Sequence, residues 1–202
     1  MSSPHGQRSR GAFTLVEMSV AIALLGIVIA NVYMVLGSSS EAFSAQTTVY
    51  EADTSVRRAL DRIALLVVGA ERDTLYQAPT APSSTPEINF TQSLGMQNGA
   101  VVFGNPQRIA LTEDEQERGV TWFENPGAPN ERRSVFTRFV KEYLDGEIQN
   151  GIDDNRNGVI DERGLNFVLE GGLVIIQLTI ERQAPDGTLI TRTYEARVTC
   201  RN

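Results

Sequence analysis

The sequence predicts an α+β protein in which a long N-terminal helix packs on an antiparallel β-sheet head. Three features lead to this fold class. Residues 18–40 form an uncharged, mostly apolar run of 23 residues. After this run, apolar residues recur at three- and four-residue steps, the spacing of one helix face. Beyond residue 87 the chain becomes a series of short segments rich in β-branched and aromatic residues, separated by Gly, Pro and Asn, which is typical of strands and turns.

The uncharged run is long enough to cross a bilayer. At about 1.5 Å per residue, a helix of this length exceeds the roughly 30 Å of a hydrocarbon core. A cleaved secretory signal has a shorter apolar region followed by a small-residue cleavage site, so we expect the run to be retained. We assign residues 13–40 to a transmembrane helix. Arg8 and Arg10 precede it, and because positive flanks stay cytoplasmic, the C-terminal bulk is predicted to be exported.

The helix is predicted to continue as an amphipathic segment over residues 41–76, which enters the head. Its apolar stripe is interrupted at Gln46 and consists of Ala42, Phe43, Val49, Tyr50, Val56, Leu60, Ile63 and Val67. Such a stripe can cover the apolar face of a sheet. The next segment, residues 77–86, contains three prolines and is predicted to be a linker or a loop lying on the head.

Residues 87–202 are assigned to a β-rich globular head. Strands are predicted at EINFTQ, AVVFGN, RIALTE and GVTWFE. The clearest signal is a C-terminal β-hairpin, in which two alternating runs flank Asp186-Gly187, a dipeptide that favours positive-φ turns. We expect one antiparallel sheet with the second half of the helix as its cover.

The composition excludes some classes of protein. The net charge of −7 and the scattered basic residues disfavour a nucleic-acid surface, because neutralising phosphates requires clustered Lys and Arg. We therefore expect no nucleic-acid partner. Cys200 is the only cysteine, so no intrachain disulfide can form.

Glu17 is the only charged residue between Arg10 and Glu41. A carboxylate near a bilayer core costs about 2.5–3.5 kcal/mol on insertion scales, so its presence needs an explanation. The surrounding residues, RGAFTLVEMSVAIALLGIVIA, resemble the class III prepilin signal of type IV pilins and type II secretion pseudopilins. That family has a basic leader, a glycine at the cleavage point, Phe and Glu at the first and fifth mature positions, and then an apolar helix. Phe13 to Glu17 match those five positions.

The resemblance implies a pilin-like fold and removal of residues 1–12 as a leader by prepilin peptidase. It also implies N-methylation of the new amino terminus at Phe13. The residue before Phe13 is Ala12, whereas the family's glycine falls one place earlier, at Gly11. We predict cleavage between Ala12 and Phe13, because a small side chain is retained there. Cleavage after Gly11 is the alternative, and it would make Glu17 the sixth mature residue.

The resemblance further implies a minor pilin or pseudopilin subunit that is assembled through its N-terminal helix into a type IV pilus or a type II secretion pseudopilus. Its size and its glutamate are closest to J-type pseudopilins and W-type minor pilins. Its partners would be prepilin peptidase, other pilin or pseudopilin subunits and the inner membrane. We expect a single-pass protein of the bacterial inner membrane whose head lies in the periplasm or on an extracellular fibre.

In such a fibre, Glu17 can pair with the amino group of Phe13 on a neighbouring subunit and set the axial register of assembly. At an effective dielectric constant near 20, a pair at 4 Å is worth on the order of 4 kcal/mol before desolvation. The simpler alternative is an interfacial carboxylate that snorkels toward the lipid head groups.

We predict no enzyme activity. The single histidine, His5, lies in the predicted leader. A mature chain without histidine cannot form a Ser-His, Cys-His or zinc-histidine site.

An acidic loop over residues 145–162 contains six carboxylates and one arginine, a local charge of −5. Within it, alternate polar residues precede Gly158 and match the D-x-[DN]-x-[DN]-G start of a calcium loop. The predicted ligands are the side chains of Asp153, Asn155 and Asn157, the Val159 carbonyl, the Asp161 side chain and Glu162.

The second half of this motif departs from an EF-hand, because Gly164 occupies position twelve, where a bidentate Glu is needed. Glu162 can replace that ligand, or Asp145 and Glu147 can fold back. All candidates are oxygens, so the expected cofactor is calcium or another hard cation. The alternative is two successive Asn-Gly turns with a solvated acidic face. A calcium-dependent periplasmic binding module, held by an uncleaved signal anchor outside any fibre, is therefore the competing function.

Overall fold

The computed structural model describes residues 14–75, 83–114, 117–170 and 172–200. Helix α1 spans Leu15–Val68 and α2 spans Arg72–Leu75. The strands are β1 Ser83–Thr85, β2 Glu87–Gln97, β3 Ala100–Glu113, β4 Arg118–Glu124, β5 Arg132–Arg138, β6 Leu165–Glu170, β7 Leu173–Gln183 and β8 Leu189–Thr199. The predicted α+β class, a long N-terminal helix followed by antiparallel β-structure, is confirmed.

The chain divides into two compact units, Met1–Ser44 and Ala45–Asn202. In the first unit, Leu15–Gly37 is long and apolar enough to cross a membrane, with a mean hydropathy of 2.4. All side chains from residue 14 to residue 37 are exposed. A helix that is apolar on every side is typical of a segment surrounded by lipid or by other helices.

Two four-stranded antiparallel sheets form most of the second unit. One has the strand order β1-β6-β7-β8 and the other has the order β2-β3-β4-β5. The sequence predicted a single sheet. Residues 139–143 connect the two sheets, because Val140 forms an isolated bridge with Ile180 of β7 and also donates its amide to the Arg118 carbonyl at the start of β4.

One face of the C-terminal part of α1 is buried in the core that the sheets share. Its buried residues recur at helical spacing and are Ala52, Val56, Ala59, Leu60, Ile63 and Val67. Beside this face, the Ser55 hydroxyl lies 2.7 Å from that of Thr137 in β5. On the other side, Arg192 of β8 forms an ion pair with Asp53 at 3.2 Å. The helix therefore contacts both sheets and covers them with the part of the predicted stripe from Val56 to Val67, whereas Phe43 and Tyr50 of that stripe are exposed.

A chain of side-chain hydrogen bonds joins the first strands to α1. The Trp122 indole N–H in β4 donates to Gln107 Oε1 in β3 at 2.8 Å. Gln107 Nε2 donates to Gln92 Oε1 in β2 at 3.1 Å. Gln92 Nε2 then donates to the Leu66 carbonyl at 3.2 Å. Three strands and the last turn of α1 are thus held in one register.

The predicted C-terminal hairpin is confirmed, with β7 and β8 paired in register from Leu173–Thr199 to Gln183–Leu189. Gly187 has a φ of +87°, a conformation that glycine adopts without strain. The Asp186 carboxylate accepts a 2.9 Å hydrogen bond from the Thr188 amide. This bond holds the pKa of Asp186 below its usual value.

Several boundaries differ from those predicted. Helix α1 ends at Val68, because Ala70 pairs with Gln92 of β2. Of the predicted linker, residues 77–82 lie outside the described residues, whereas Ser83–Thr85 form β1 and pair with β6. Two predicted strands are joined as the single strand β3.

Strands β5 and β6 were not predicted, for different reasons. The sequence of β5, RRSVFTR, is rich in charge because this strand lies at a sheet edge. The first five residues of β6, LNFVL, are all buried, so both faces of this strand are covered. Such a strand shows no alternation of apolar and polar residues.

Substitution of Ile63 by alanine tests the helix cover. Ile63 is fully buried, whereas Leu65, two residues along α1, is 75% exposed. We expect Ile63→Ala to lower the free energy of unfolding of the head by about 2–5 kcal/mol. Leu65→Ala is the matched control and should change it by about 0.5 kcal/mol or less. Calorimetry of the full chain in detergent measures both variants. Equal decreases in unfolding free energy would contradict the assignment of Ile63 to a buried face of α1 and of Leu65 to an exposed one.

Candidate functional site

Helix α1 begins with a capping box formed by Thr14 and Glu17. The Thr14 amide and hydroxyl both donate to Glu17 Oε2 at 3.0 Å. In return, the Glu17 amide donates to the Thr14 hydroxyl at 3.3 Å. These bonds satisfy backbone donors that have no partner at a helix N-terminus. A carboxylate in the first turn also interacts favourably with the helix dipole.

Thr14 is a residue that the sequence analysis did not select. The signal was present, since Thr14 and Glu17 have the T-x-x-E spacing of a capping box before an apolar run. The predicted processing residues Gly11, Ala12 and Phe13 lie outside the described residues. The structure therefore describes Glu17 and its local partner, and the processing and pairing roles remain predictions.

The acidic loop is closed at its base by pairing between the residues that enter and leave it. The Leu144 amide donates to the Glu162 carbonyl at 2.9 Å, and the Gly164 amide donates to the Glu142 carbonyl at 3.0 Å. Tyr143 and Arg163 form an isolated bridge between these two bonds. We call residues 142–144 and 162–164 the neck of the loop.

Gly164 allows the neck to close against the connecting segment. A Cβ at this position would lie 1.9 Å from the Lys141 carbonyl oxygen. In the sequence, Gly164 occupies the position that corresponds to the twelfth of an EF-hand, where a glutamate is needed. The structure gives the physical reason for a glycine here, because any side chain would overlap the backbone of Lys141.

Side-chain oxygens within the loop accept a regular series of backbone hydrogen bonds. Asp153 accepts from the amides of Asn157 at 3.1 Å and Gly158 at 2.8 Å. The amide oxygen of Asn155 accepts from the Asn157 amide at 3.0 Å. That of Asn157 accepts from the Val159 amide at 2.9 Å. Gly158 has a φ of +90° and makes the sharp turn that the motif requires.

Two buried carboxylates lie beside this series. The side chain of Glu162 is 1% exposed and that of Glu147 is 5% exposed. Both contact Asn155, since Glu147 Oε1 accepts from its backbone amide at 3.0 Å and Glu162 Oε2 accepts from its side-chain Nδ2 at 3.2 Å. Asn157 Nδ2 donates to the other oxygen, Glu162 Oε1. Glu147 Oε2 is buried and has no hydrogen-bond partner.

Burial raises the pKa of Glu162 above its usual value. The nearby charges of Glu147 and Asp153 raise the pKa further, and the hydrogen bonds from the two asparagine amides oppose this effect. Within the described residues, neither Glu147 nor Glu162 forms an ion pair with Lys or Arg. The two basic side chains beside the neck are engaged elsewhere, Lys141 with Asp145 and Arg163 with Glu113 and Glu142.

The structure brings Asp153, Asn155, Asn157 and Glu162 together, and Glu147 folds back to join them. Asp161, a predicted ligand, points elsewhere, because its carboxylate accepts from the amides of Asn150 at 2.9 Å and Gly151 at 3.0 Å. In the part of the chain that the structure describes, no three Asp, Glu, His or Cys side chains converge as a ready metal-ligand group.

Comparison with known families decides the nature of the N-terminal segment. Residues 7–30 match the family model of the prokaryotic N-terminal methylation motif. The segment is a prepilin-type signal. Comparison with curated proteins and with solved structures gives no match.

The match includes Gly11, Ala12, Phe13 and Glu17, so the resemblance seen in the sequence is confirmed at the level of the motif. It supports a class III signal of the type IV pilin and pseudopilin kind, and it indicates a structural subunit processed by prepilin peptidase. Together with the apolar helix Leu15–Gly37, it indicates a single-pass anchor in the inner membrane.

Substitution of Gly164 by alanine tests the neck. The added methyl group would overlap the Lys141 carbonyl, and overpacking of this kind costs about 3 kcal/mol in unfolding free energy. Gly69→Ala is the control, since a Cβ there would lie at an ordinary distance of 3.6 Å from Gln92. Calorimetric unfolding of the full chain measures both, and equal midpoints would contradict the close approach at Gly164.

Substitution of Thr14 by valine tests the capping box. Losing the cap costs about 1 kcal/mol, so the amides of the first turn of α1 should exchange with solvent about fivefold faster. Thr14→Ser retains the hydroxyl and should exchange like the natural chain. Amide exchange measured by NMR in micelles compares the two, and equal rates in the valine and serine variants would exclude a capping role.

Proposed function

We infer that the chain is a minor pilin or pseudopilin subunit that is assembled through its N-terminal helix into a type IV pilus or a type II secretion pseudopilus. The observation that carries the proposal is Glu17. It is a lone carboxylate in the first turn of α1, where the helix is apolar and exposed from residue 14 to residue 37, and it lies inside a segment that matches the N-terminal methylation motif. From the size of the chain and from this glutamate, we further propose a J-type pseudopilin or a W-type minor pilin.

The capping box supports a role for Glu17 in pairing. Both hydrogen bonds from Thr14 end on Oε2, and Oε1 takes part in neither. A carboxylate offers about four acceptor positions, so the cap leaves capacity for a second donor. The cap also restrains the carboxylate in one orientation before assembly, which lowers the entropy lost on pairing.

Cleavage before Phe13 would supply that second donor as an α-amino group. In a fibre of helices packed side by side, the amino group of one subunit would meet the Glu17 carboxylate of the next. An unpaired carboxylate in an apolar environment is strongly unfavourable, so only a register that pairs each Glu17 with an amino group would be stable. Prepilin peptidase, neighbouring pilin or pseudopilin subunits and the inner membrane are therefore the partners of this proposal.

The first unit suits side-by-side packing. Its exposed side chains from residue 14 to residue 37 are apolar or small, except for Glu17, Asn31 and Tyr33. Asn31 Nδ2 donates to the Ile27 carbonyl at 2.8 Å, so one of its two amide donors is satisfied within the helix. The same surface also fits lipid, which is where a subunit would reside before assembly. The β-rich head would then lie in the periplasm or on the fibre surface.

The competing function is a binding module held in the membrane by an uncleaved signal anchor. The mass of the chain purified from membranes of a host that expresses prepilin peptidase separates the two. We expect a chain that begins at Phe13 and carries one added methyl group. A start at Ala12 would keep the subunit role and change the position of Glu17, whereas an intact chain from Met1 would favour the anchored module.

Substitution of Glu17 by valine tests assembly separately from processing. We expect the variant to be cleaved normally, and its incorporation into fibres to fall at least about tenfold, which corresponds to about 1.4 kcal/mol of lost pairing. Asp61→Ala is the control, because Asp61 is an exposed carboxylate of α1 in the head. Immunoblots of sheared fibres measure incorporation. Equal amounts of the Glu17→Val and natural chains in fibres would favour a carboxylate that only snorkels toward the lipid head groups.

A further inference from the structure

We propose that the acidic loop binds one calcium ion, with Glu147 and Glu162 as buried carboxylate ligands beside Asp153, Asn155 and Asn157. This site is independent of fibre assembly. It differs from the ligand set that the sequence predicted, because Glu147 enters it and Asp161 leaves it.

The first observation is the unpaired oxygen of Glu147. Glu147 is 95% buried, and its Oε2 has no hydrogen-bond partner among the residues that the structure describes. Native proteins seldom leave a buried charged oxygen unsatisfied, because the lost hydration is not replaced. Oε1 is fixed by the Asn155 amide at 3.0 Å, so the carboxylate faces the loop that carries Asn155. A ligand that supplies positive charge at Oε2 would satisfy this group.

The second observation is that Glu162 lies in the same place without a compensating charge. Among the described residues, its two oxygens accept only from the neutral side-chain amides of Asn155 and Asn157. Two like charges buried on either side of Asn155 repel each other, and burial strengthens this repulsion. A divalent cation between them would reverse the sign of the interaction.

The donor set favours calcium over softer metals. The described side chains of the site offer carboxylate and amide oxygens, with no sulfur or imidazole. Calcium takes six to eight oxygens at about 2.3–2.6 Å in a flexible geometry, whereas magnesium requires a near-ideal octahedron at about 2.0–2.1 Å. Glu147, Glu162 and Asp153 would supply charge, and the amide oxygens of Asn155 and Asn157 and the Val159 carbonyl would complete the shell with water.

Binding would require a rearrangement of the loop, because the carboxylates of Glu147, Glu162 and Asp153 do not converge in the described structure. The Nδ2 groups of Asn155 and Asn157 now face Glu162 and occupy the position of a positive charge. Rotation of each amide about its χ2 angle would turn the oxygen toward the ion, and it would break the hydrogen bonds that these oxygens now accept from the amides of Asn157 and Val159. Asp161 need not move, since its bonds to Asn150 and Gly151 hold the other side of the loop.

Calorimetric titration and thermal unfolding of the full chain in detergent, starting from chelator-treated protein, test the site. We expect saturable heat with CaCl₂ and a rise in unfolding midpoint of about 5 °C or more at a hundredfold excess over Kd. MgCl₂ at the same concentration should give at least tenfold weaker binding. The absence of both heat and a midpoint shift with millimolar CaCl₂ would overturn the proposal.

Charge-removing variants then test the ligands. Glu147→Gln and Glu162→Gln should each weaken calcium binding at least tenfold. Asp145→Asn is the matched control, since it removes one charge from the same loop but Asp145 pairs with Lys141 at 3.0 Å. It should bind calcium within about twofold of the natural chain. An equal loss in all three variants would show a diffuse effect of loop charge and would overturn the assignment.

The unfolding midpoint in chelator is a further readout. Without calcium, the buried negative charge of Glu147 has no compensating positive charge in this proposal. Glu147→Gln should therefore unfold in chelator at the same temperature as the natural chain or at a higher one. It should also lose the calcium-dependent rise. A lower midpoint in chelator together with an unchanged calcium-dependent rise would assign Glu147 a purely structural role.

Discussion

Ile63 and Val67 lie on the one face of α1 that both sheets cover, and the burial of that face is the constraint from which the rest of the head follows. Each fully buried aliphatic side chain contributes about 1.5–3 kcal/mol, while a whole domain is stable by about 5–15 kcal/mol. The buried positions of α1 are therefore comparable in effect to the net stability. Without them, the inner faces of both sheets would be exposed to water, and the segment that leads into the acidic loop would lose its support.

The two candidate sites share one chemical circumstance. Glu17 lies in an apolar helix, and Glu147 and Glu162 are buried beside the loop, so all three carboxylates occupy places that disfavour charge. Among the described residues, none of the three forms an ion pair with a basic side chain. Hydrogen bonds from Thr14 and from asparagine amides compensate them in part. In both places, a positive charge from outside the chain would balance the carboxylates.

The sequence was sufficient to predict features that depend on local patterns. The apolar run, the stripe that includes Val56 and Leu60, and the Asp186-Gly187 hairpin each follow from periodicity or turn chemistry. Features set by long-range packing were not predicted. Strand β6 lacks alternation because it is covered on both faces, and the division into two sheets depends on the bridge between Val140 and Ile180.

The candidate sites show the same division. The alternation of Asp153, Asn155 and Asn157 before Gly158 is a local signal and was recognised. The approach of Glu147 depends on how the loop folds back, so the sequence offered it only as one of two alternatives. The capping role of Thr14 could have been predicted, because Thr14 and Glu17 have the T-x-x-E spacing of a capping box. Gly164 is required by the Lys141 carbonyl, a contact that no spacing rule predicts.

The hydrogen-bonded series from Trp122 through Gln107 and Gln92 to the Leu66 carbonyl has a practical consequence. Trp122 is the single tryptophan of the chain, so its fluorescence comes from one environment and needs no extrinsic dye. Separation of the last turn of α1 from β2 would free Gln92, then Gln107, and finally the indole N–H, which would shift the emission to longer wavelength. The molecule thus carries an intrinsic optical reporter of helix docking, suited to rapid-mixing experiments on how the head closes around its helix.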